Sequence, residues 1–108
     1  MTKYHNIPTT IDGIRFDSRK EANRFYQLRL MERAGEISNL RRQVEYELIP
    51  AQKTPAGRAV RPVKYVADFV YDDHGKTVVE DVKGVKTREF QIKSKLMLWR
   101  YGIVVEIA

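Results

Sequence analysis

The chain contains no cysteine and no long run of apolar residues. The absence of cysteine excludes disulfide bonds and thiolate zinc sites. No apolar stretch approaches the roughly 18 residues of a membrane-spanning helix, and the first residues lack the apolar core of a signal peptide. We therefore expect a cytoplasmic protein without a membrane partner.

Acidic residues are the minority among the charged ones, because 20 Lys and Arg stand against 14 Asp and Glu. The net charge of +6 favours a polyanionic partner such as a nucleic acid. The length of 108 residues predicts a single domain over residues 1–108. Residues 1–9 show no clear periodicity, which predicts a flexible arm there.

The stretch around which the chain is organised consists of two β-rich runs, residues 65–71 and 77–83, joined by an Asp/Gly turn. This pattern predicts an antiparallel hairpin. Strand side chains alternate faces, so Asp81 and Lys83 share one face, and a plausible register puts Asp68 beside Asp81. Acids clustered without Cys or His favour Mg²⁺ over Zn²⁺. The competing interpretation is an ordinary cross-strand ion pair.

A first helix is predicted over residues 19–34. Ser18 and Glu21 fit a capping box at its start, and Gly35 is a suitable residue for its end. Glu21 lies on the core-facing side of this helix, where a carboxylate needs a partner. The predicted apolar stripe consists of Ala22, Phe25, Leu28 and Met31, widened by Tyr26 and Leu30.

The middle of the chain is expected to hold one strand and one loop. Residues 36–43 read as a polar connection, and residues 44–49 alternate as a strand does. Residues 50–62 are rich in Pro, Ala and Gly and carry Arg58 and Arg61. This composition predicts either a mobile basic loop or the tip of a long hairpin. Its positive charges either bind nucleic acid or have no specific role.

A second helix is predicted over Arg88–Tyr101, with Thr87 as its N-cap and Gly102 as its stop. Ile92, Leu96 and Trp99 are expected to face the core, with Phe90 and Met97 beside them. Positive charge is dense in this region, which predicts contact with a phosphate backbone or a merely solvated face. The cations are Lys83, Lys86, Arg88, Lys93, Lys95 and Arg100, against Glu89 alone. Residues 103–107 predict a closing strand.

The order of these residues resembles the PD-(D/E)xK nuclease superfamily. The likeness rests on Asp68, a short hairpin, then Asp81-Val82-Lys83, with an acidic helix before and a Gln/Lys helix after. More closely, the chain resembles a small uncharacterised phage and prophage family of that superfamily, similar to Holliday-junction resolvases. Further matching segments are residues 3–6, 12–18, 65–69 and 79–84. Ala67 stands where the superfamily's name has a proline, and that position is not a ligand.

The resemblance implies an α/β (α+β) domain with a restriction-endonuclease-like core, in which helices flank a mixed sheet in the order α-β-β-β-α-β. It implies Mg²⁺-dependent cleavage of DNA, with Mn²⁺ as a substitute, possible branched substrates and a homodimer. A phage-encoded enzyme would act in the host-cell cytoplasm. The metal ligands it implies are Glu21, Asp68, Asp81 and the carbonyl of Val82. It also implies that Lys83, Gln91 and Lys95 complete the catalytic set. From the charge pattern, and not from the resemblance, we expect contacts with nucleic acid at Lys86, Arg88, Lys93, Arg58 and Arg61.

A different class of function fits the same element order. Double-stranded-RNA-binding modules are also small, basic α-β-β-β-α domains and bind by shape without chemistry. A non-catalytic adaptor is a third interpretation. Asp68 and Asp81 argue against binding alone, because acids that line a polyanion site repel the ligand unless a metal intervenes.

Overall fold

The computed structural model describes residues 9–82 and 87–108. The predicted arm lies outside this part except for Thr9, and so do Lys83 and Lys86. Ten elements follow one another along the chain: β1 (Thr9–Ile11), β2 (Ile14–Phe16), α1 (Arg19–Arg33), β3 (Ser38–Ile49), β4 (Gln52–Lys53), β5 (Ala59–Val60), β6 (Val63–Asp73), β7 (Lys76–Asp81), α2 (Arg88–Tyr101) and β8 (Glu106–Ile107).

A mixed four-stranded sheet forms the centre, in the order β3-β6-β7-β8. β3, β6 and β7 are antiparallel neighbours, whereas β8 pairs parallel to β7. Each face has its own apolar cluster: Phe25 and Leu28 of α1 pack on one, and Met97 of α2 packs on the other. The expected α+β class with a mixed sheet and flanking helices is confirmed. No helix within the described ranges is long and apolar enough to span a membrane.

Local sequence signals set the turns and helix ends. Two hairpins turn through two residues that both have positive φ, Asp12-Gly13 (52° and 77°) and His74-Gly75 (51° and 80°), as tight hairpins require. The hydroxyls of Ser18 and Thr87 cap the two helices by accepting from backbone N–H groups three residues on. The predicted β6–β7 hairpin is therefore confirmed, with a turn shorter than expected.

The central part of the chain contains more strand than expected. β3 begins at Ser38, so the prediction of a polar connection over residues 36–43 was wrong for most of its length. β6 is eleven residues long, so β3 pairs with it over a correspondingly long stretch. That stretch includes two residues with positive φ, Asn39 (55°) and Gln43 (51°). Residues 50–62 form the tip of a long hairpin and carry the small β4–β5 ladder.

The orientation of α2 differs from the prediction. Met97 is fully buried, whereas Ile92 is 53% and Trp99 79% exposed, so the predicted core stripe was wrong for these two residues. Tyr101 anchors the end of the helix, because its hydroxyl donates to the carbonyl of Glu47 at 2.6 Å. Other differences are small: Tyr26 and Leu30 of α1 are exposed, and β8 covers only Glu106–Ile107 of the expected 103–107.

Along β6, the residues that alternate onto one face of the sheet move to the other face at one position. Tyr65 and Ala67 belong to the α2-side cluster, but Phe69 and Tyr71 belong to the α1-side cluster. Strict alternation would keep all four on one face. The change falls at Asp68, across the ladder from the left-handed Gln43. An irregularity of this kind redirects side chains, as β-bulges do next to active sites.

Candidate metal and active site

Two carboxylates meet where β7 ends. The antiparallel ladder ends at the pair Phe69↔Glu80, and Asp68 and Asp81 are the next residues of the two strands. Asp68 Oδ2 accepts a hydrogen bond from the backbone N–H of Val82 at 2.8 Å. Both acids are buried, with exposed fractions of 3% and 6%. The hairpin register therefore brings the two aspartates to adjoining positions, one residue beyond the last pair of the ladder.

Tyr65 holds the Asp81 carboxylate from the α2 side of the sheet. Its hydroxyl donates to Asp81 Oδ2 at 2.9 Å. Burial, and next the negative charge of Asp81, raise the pKa of Tyr65 well above its ordinary value. The phenol therefore remains a proton donor to Asp81 throughout the neutral range. The ring of Phe90 lies 6.4 Å from that of Tyr65, so the first turn of α2 packs against this tyrosine.

Glu21 reaches the same region from α1. The capping hydrogen bond from Glu21 N to Ser18 Oγ, at 3.1 Å, fixes the start of the helix, and the Glu21 carboxylate is buried. Gln43 connects it to the aspartates: its Nε2 lies 3.2 Å from Glu21 Oε1 and 3.5 Å from Asp68 Oδ1. One side-chain amide thus joins the helix-borne acid to the strand-borne acid.

Arg42 supplies positive charge beside Glu21. Its Nη2 lies 3.7 Å from Glu21 Oε1, and its guanidinium stacks 4.3 Å from the ring centre of Phe16. Arg42 Nε is buried and has no hydrogen-bond partner among the described residues. Aromatic stacking and the ion pair with Glu21 therefore hold this cation in place.

A partly buried ion pair on the opposite face of β7 connects α1 to the strand. Arg24 binds Glu80 through both Nε–Oε1 (2.8 Å) and Nη2–Oε2 (2.6 Å), and the Tyr71 hydroxyl donates to the same carboxylate. The hydrogen bond to Glu80 raises the pKa of Arg24, and burial followed by that carboxylate raises the pKa of Tyr71. A cleft of about 370 Å³ borders this pair, whereas Asp68 and Asp81 do not line it. The pair therefore connects the first turns of α1, which carry Glu21, to the end of β7, which carries Asp81.

The donor set suits a hard cation. Buried like charges on neighbouring strands are costly unless a proton or a cation compensates them. All donors here are oxygens, and Mg²⁺ usually takes one or two carboxylates together with water and substrate phosphate. Within residues 9–82 and 87–108, no three His, Cys, Asp or Glu side chains cluster closely enough to hold an ion by themselves. The arrangement therefore fits a two-aspartate site that Glu21 completes through Gln43 or water.

The predicted residues fall into separate groups. Glu21, Asp68, Asp81 and Val82 lie together, while Lys83 and Lys86 are outside the described residues. Gln91 and Lys95 are exposed on α2, and so is Arg88. Lys93 is half-buried and forms an ion pair with Glu89 at 3.1 Å. Arg58 and Arg61 are exposed at the β4–β5 tip.

Sequence reasoning missed Gln43, Tyr65 and the Arg24–Glu80 pair as parts of the site. Gln43 stood in a stretch interpreted as a connection, so no strand register was available to align it with Asp68. Tyr65 carried a usable signal, because a tyrosine in a buried strand needs a partner for its hydroxyl. The ion pair joins residues 56 positions apart, which no local pattern reveals.

Comparison with known proteins adds one family and no named activity. No curated protein and no solved structure matches the chain. A family model described as "Protein of unknown function (DUF1064)" matches residues 1–106. That match includes every residue of the candidate site. The chain belongs to the DUF1064 family.

Proposed function

We propose that this chain is a divalent-metal-dependent endonuclease that hydrolyses DNA phosphodiester bonds, with Mg²⁺ as its cofactor and Mn²⁺ as a substitute. The observation that carries the proposal is the burial of Asp68 and Asp81 directly beyond the last pair of the β6–β7 ladder, with Glu21 joined to Asp68 through Gln43. An acid cluster of this kind is costly to a fold and useful to a metal-binding site.

The residues of the site have separable roles in this proposal. Asp68 and Asp81 bind the cation directly, and Glu21 binds it directly or through a water molecule. Gln43 and Tyr65 orient the carboxylates through their hydrogen bonds. Bound Mg²⁺ neutralises charge on the phosphate and activates water. The Val82 carbonyl is a further ligand, and Lys83 orients or deprotonates the attacking water or stabilises transition-state charge.

The charge distribution supports a nucleic-acid substrate. The chain has a net charge of +6, yet the candidate site itself is acidic. Acids facing a polyanion repel it, so a binding module without chemistry has no use for this arrangement, whereas a bound cation reverses its sign. Cations on the first turns of α2 and at the β4–β5 tip then hold the phosphate backbone. These are Arg88, Lys93, Arg58 and Arg61.

Cleavage of labelled DNA in Mg²⁺, Mn²⁺ and EDTA tests the proposal. The substrates are single-stranded, duplex, flapped and four-way-junction DNA. We expect metal-dependent cutting that falls by at least about 100-fold in Asp68→Asn and in Asp81→Asn. Asp73→Asn is the matched control, because it removes the same charge from β6 at the hairpin turn. Full cutting by both site variants would refute the assignment; binding without any cutting, indifferent to both aspartates, would favour the double-stranded-RNA-binding or adaptor alternatives.

A finer version of the proposal concerns the substrate and the assembly. The fold belongs with restriction-endonuclease-like cores, and the enzyme cuts branched DNA such as Holliday junctions as a two-fold homodimer, since paired cuts need two related sites. Sedimentation with and without a four-way junction tests this. A chain that stays monomeric in both conditions would exclude paired cutting and leave nicking.

A further inference from the structure

The outward side of α2 is an exposed surface that combines apolar and basic side chains. Trp99 is 79% exposed, and Ile92 and Leu98 are each 53% exposed. Helical spacing brings Ile92 and Trp99 onto one line, seven residues apart, with Lys95 between them. Met97 lies on the opposite side and is fully buried. We call this surface the outer α2 face; its residues are Arg88, Gln91, Ile92, Lys95, Leu98 and Trp99.

The charge of the outer α2 face is entirely positive. It carries Arg88 and Lys95, both exposed. Glu89 is the single acid of the helix, and it is engaged by Lys93 at 3.1 Å. A large exposed apolar group among cations is unusual for a surface that contacts only water. The composition fits a polyanion that also offers flat apolar surfaces, which describes nucleobases joined by phosphates.

A second copy of the chain fits this face less well. A two-fold axis through the middle of α2 places each residue close to its own equivalent or to a near neighbour. Lys95 would then face the Lys95 of the other copy, with Arg88 adding to the same field. Like charges in an interface are repelled, and no acid on this face is available to compensate them.

We propose that the outer α2 face binds DNA that contains unpaired bases, with Trp99 stacking on a base while Lys95 and Arg88 contact the phosphates. The helix rises about 1.5 Å per residue, so Arg88 and Trp99 lie roughly 16 Å apart along its axis, or about five nucleotide steps. Base pairs hide their flat faces within the duplex, so stacking requires an overhang, a flap or an open junction. The inference rests on the proposed nucleic-acid substrate and not on cleavage.

The chain contains one tryptophan, so its fluorescence reports on Trp99 alone. The wild-type protein is titrated in EDTA with blunt duplex and with the same duplex bearing a single-stranded overhang. We expect the overhang to quench the fluorescence and to protect Trp99 from acrylamide, and the blunt duplex to do neither. In anisotropy with labelled DNA, Trp99→Ala binds the overhang about 5- to 100-fold more weakly. Trp99→Phe keeps most of the affinity.

Two controls separate stacking from general surface effects. Val104→Ala removes another exposed apolar side chain, 67% exposed and outside the helix, and should leave the affinity unchanged. Lys95→Gln should weaken binding to both DNAs and lower the salt slope by about one.

The proposal is overturned if the overhang neither quenches Trp99 nor needs it for binding. It is also overturned if the fluorescence shifts with protein concentration alone and Trp99→Ala abolishes a dimer, since the face then contacts a second copy. Quenching by the overhang together with an absence of cutting in Mg²⁺ would uphold this inference while refuting the nuclease.

Discussion

Asp68 Oδ2 accepts the backbone N–H of Val82 at 2.8 Å, so a side chain of β6 binds the main chain just beyond the end of β7. This bond keeps the Asp68 carboxylate beside Asp81 at the point where regular pairing stops. Asparagine at position 68 can still accept that N–H through its carbonyl oxygen, but it loses the negative charge. The substitution Asp68→Asn therefore removes the negative charge at this position and keeps the hydrogen bond to the Val82 N–H.

Divalent cations should stabilise the folded chain, and this effect should depend on both aspartates. At a Mg²⁺ concentration about 100 times the Kd, binding adds about 2.7 kcal/mol, which raises the Tm by roughly 10 °C for a chain of this size. Asp68→Asn and Asp81→Asn should each remove the increase, whereas Asp73→Asn should keep it. Differential scanning fluorimetry in Mg²⁺ and EDTA measures the effect; a wild-type increase in Tm in Asp68→Asn would contradict the ligand assignment.

Gln43→Gly should separate stability from activity. Gln43 has a φ of 51°, which is unfavourable for a residue with a Cβ and costless for glycine. Its amide contacts Glu21 and Asp68. We expect the free energy of unfolding to stay within about 1 kcal/mol of wild type, while cleavage falls by about 10- to 100-fold, as when groups that orient metal ligands are removed.

Asn39→Gly is the matched control for this change. Asn39 also has a positive φ, 55°, on the same strand, but its amide contacts Asp72 and not the site acids. This variant should retain full cleavage. Equal losses of activity in the two glycine variants, measured as kcat and KM on one substrate, would show that Gln43 acts only through the backbone.

Tyr65 and Tyr71 should make the fold sensitive to alkali. Both have a pKa raised above the ordinary value of 10, chiefly by burial. The two tyrosines stabilise the fold fully below about pH 10, because they are then protonated in both the folded and the unfolded protein. Above that pH they lose their protons in the unfolded chain before they lose them in the folded protein, so the free energy of unfolding falls. Between its pKa in the unfolded chain and its pKa in the folded protein, each tyrosine lowers the free energy of unfolding by about 1.4 kcal/mol per pH unit.

Urea unfolding from about pH 9 to 11.5 measures this slope. Tyr65→Phe and Tyr71→Phe should each make the pH profile shallower, at some cost in stability at neutral pH. Tyr26→Phe serves as the control, since Tyr26 is 54% exposed. A wild-type profile that stays flat above pH 10 would contradict the burial of the two hydroxyls.

The Arg24–Glu80 pair should stabilise the fold far more than the Lys93–Glu89 pair on α2. Arg24→Ala leaves a buried carboxylate without its cation, and such a loss costs about 3 kcal/mol. Lys93→Ala breaks the i,i+4 pair with Glu89 and should cost less than about 0.5 kcal/mol. Denaturant unfolding compares the two variants directly.

A double variant tests the reason for that difference. Arg24→Met combined with Glu80→Leu removes both charges and keeps apolar volume, so it should recover most of the stability lost in Arg24→Ala. Cleavage should recover less, because the double variant lacks the two-point contact that connects the first turns of α1 to the end of β7. Additive costs for the two substitutions would show that the pair is not coupled.

The sequence by itself determined the local features of this protein. The Asp12-Gly13 turn and His74-Gly75 within the predicted turn have the positive φ values that those residue types allow, and Ser18 and Thr87 cap the helices as their spacing indicates. The hairpin pattern also predicted the strand pairing that ends one residue before Asp68 and Asp81, at Phe69↔Glu80. Such features depend on interactions within a few residues, or on a register that a tight turn fixes.

Only the tertiary structure decided which groups surround the acids. Apolar residues occur on several sides of α2, so the sheet, and not the helix sequence, selected Met97 for the core and left Trp99 exposed. The left-handed Gln43 and the exchange of faces at Asp68 arise from pairing between strands that are distant in sequence. Long-range pairing and packing have no signature in a single local window, and they determine which side chains point into the site.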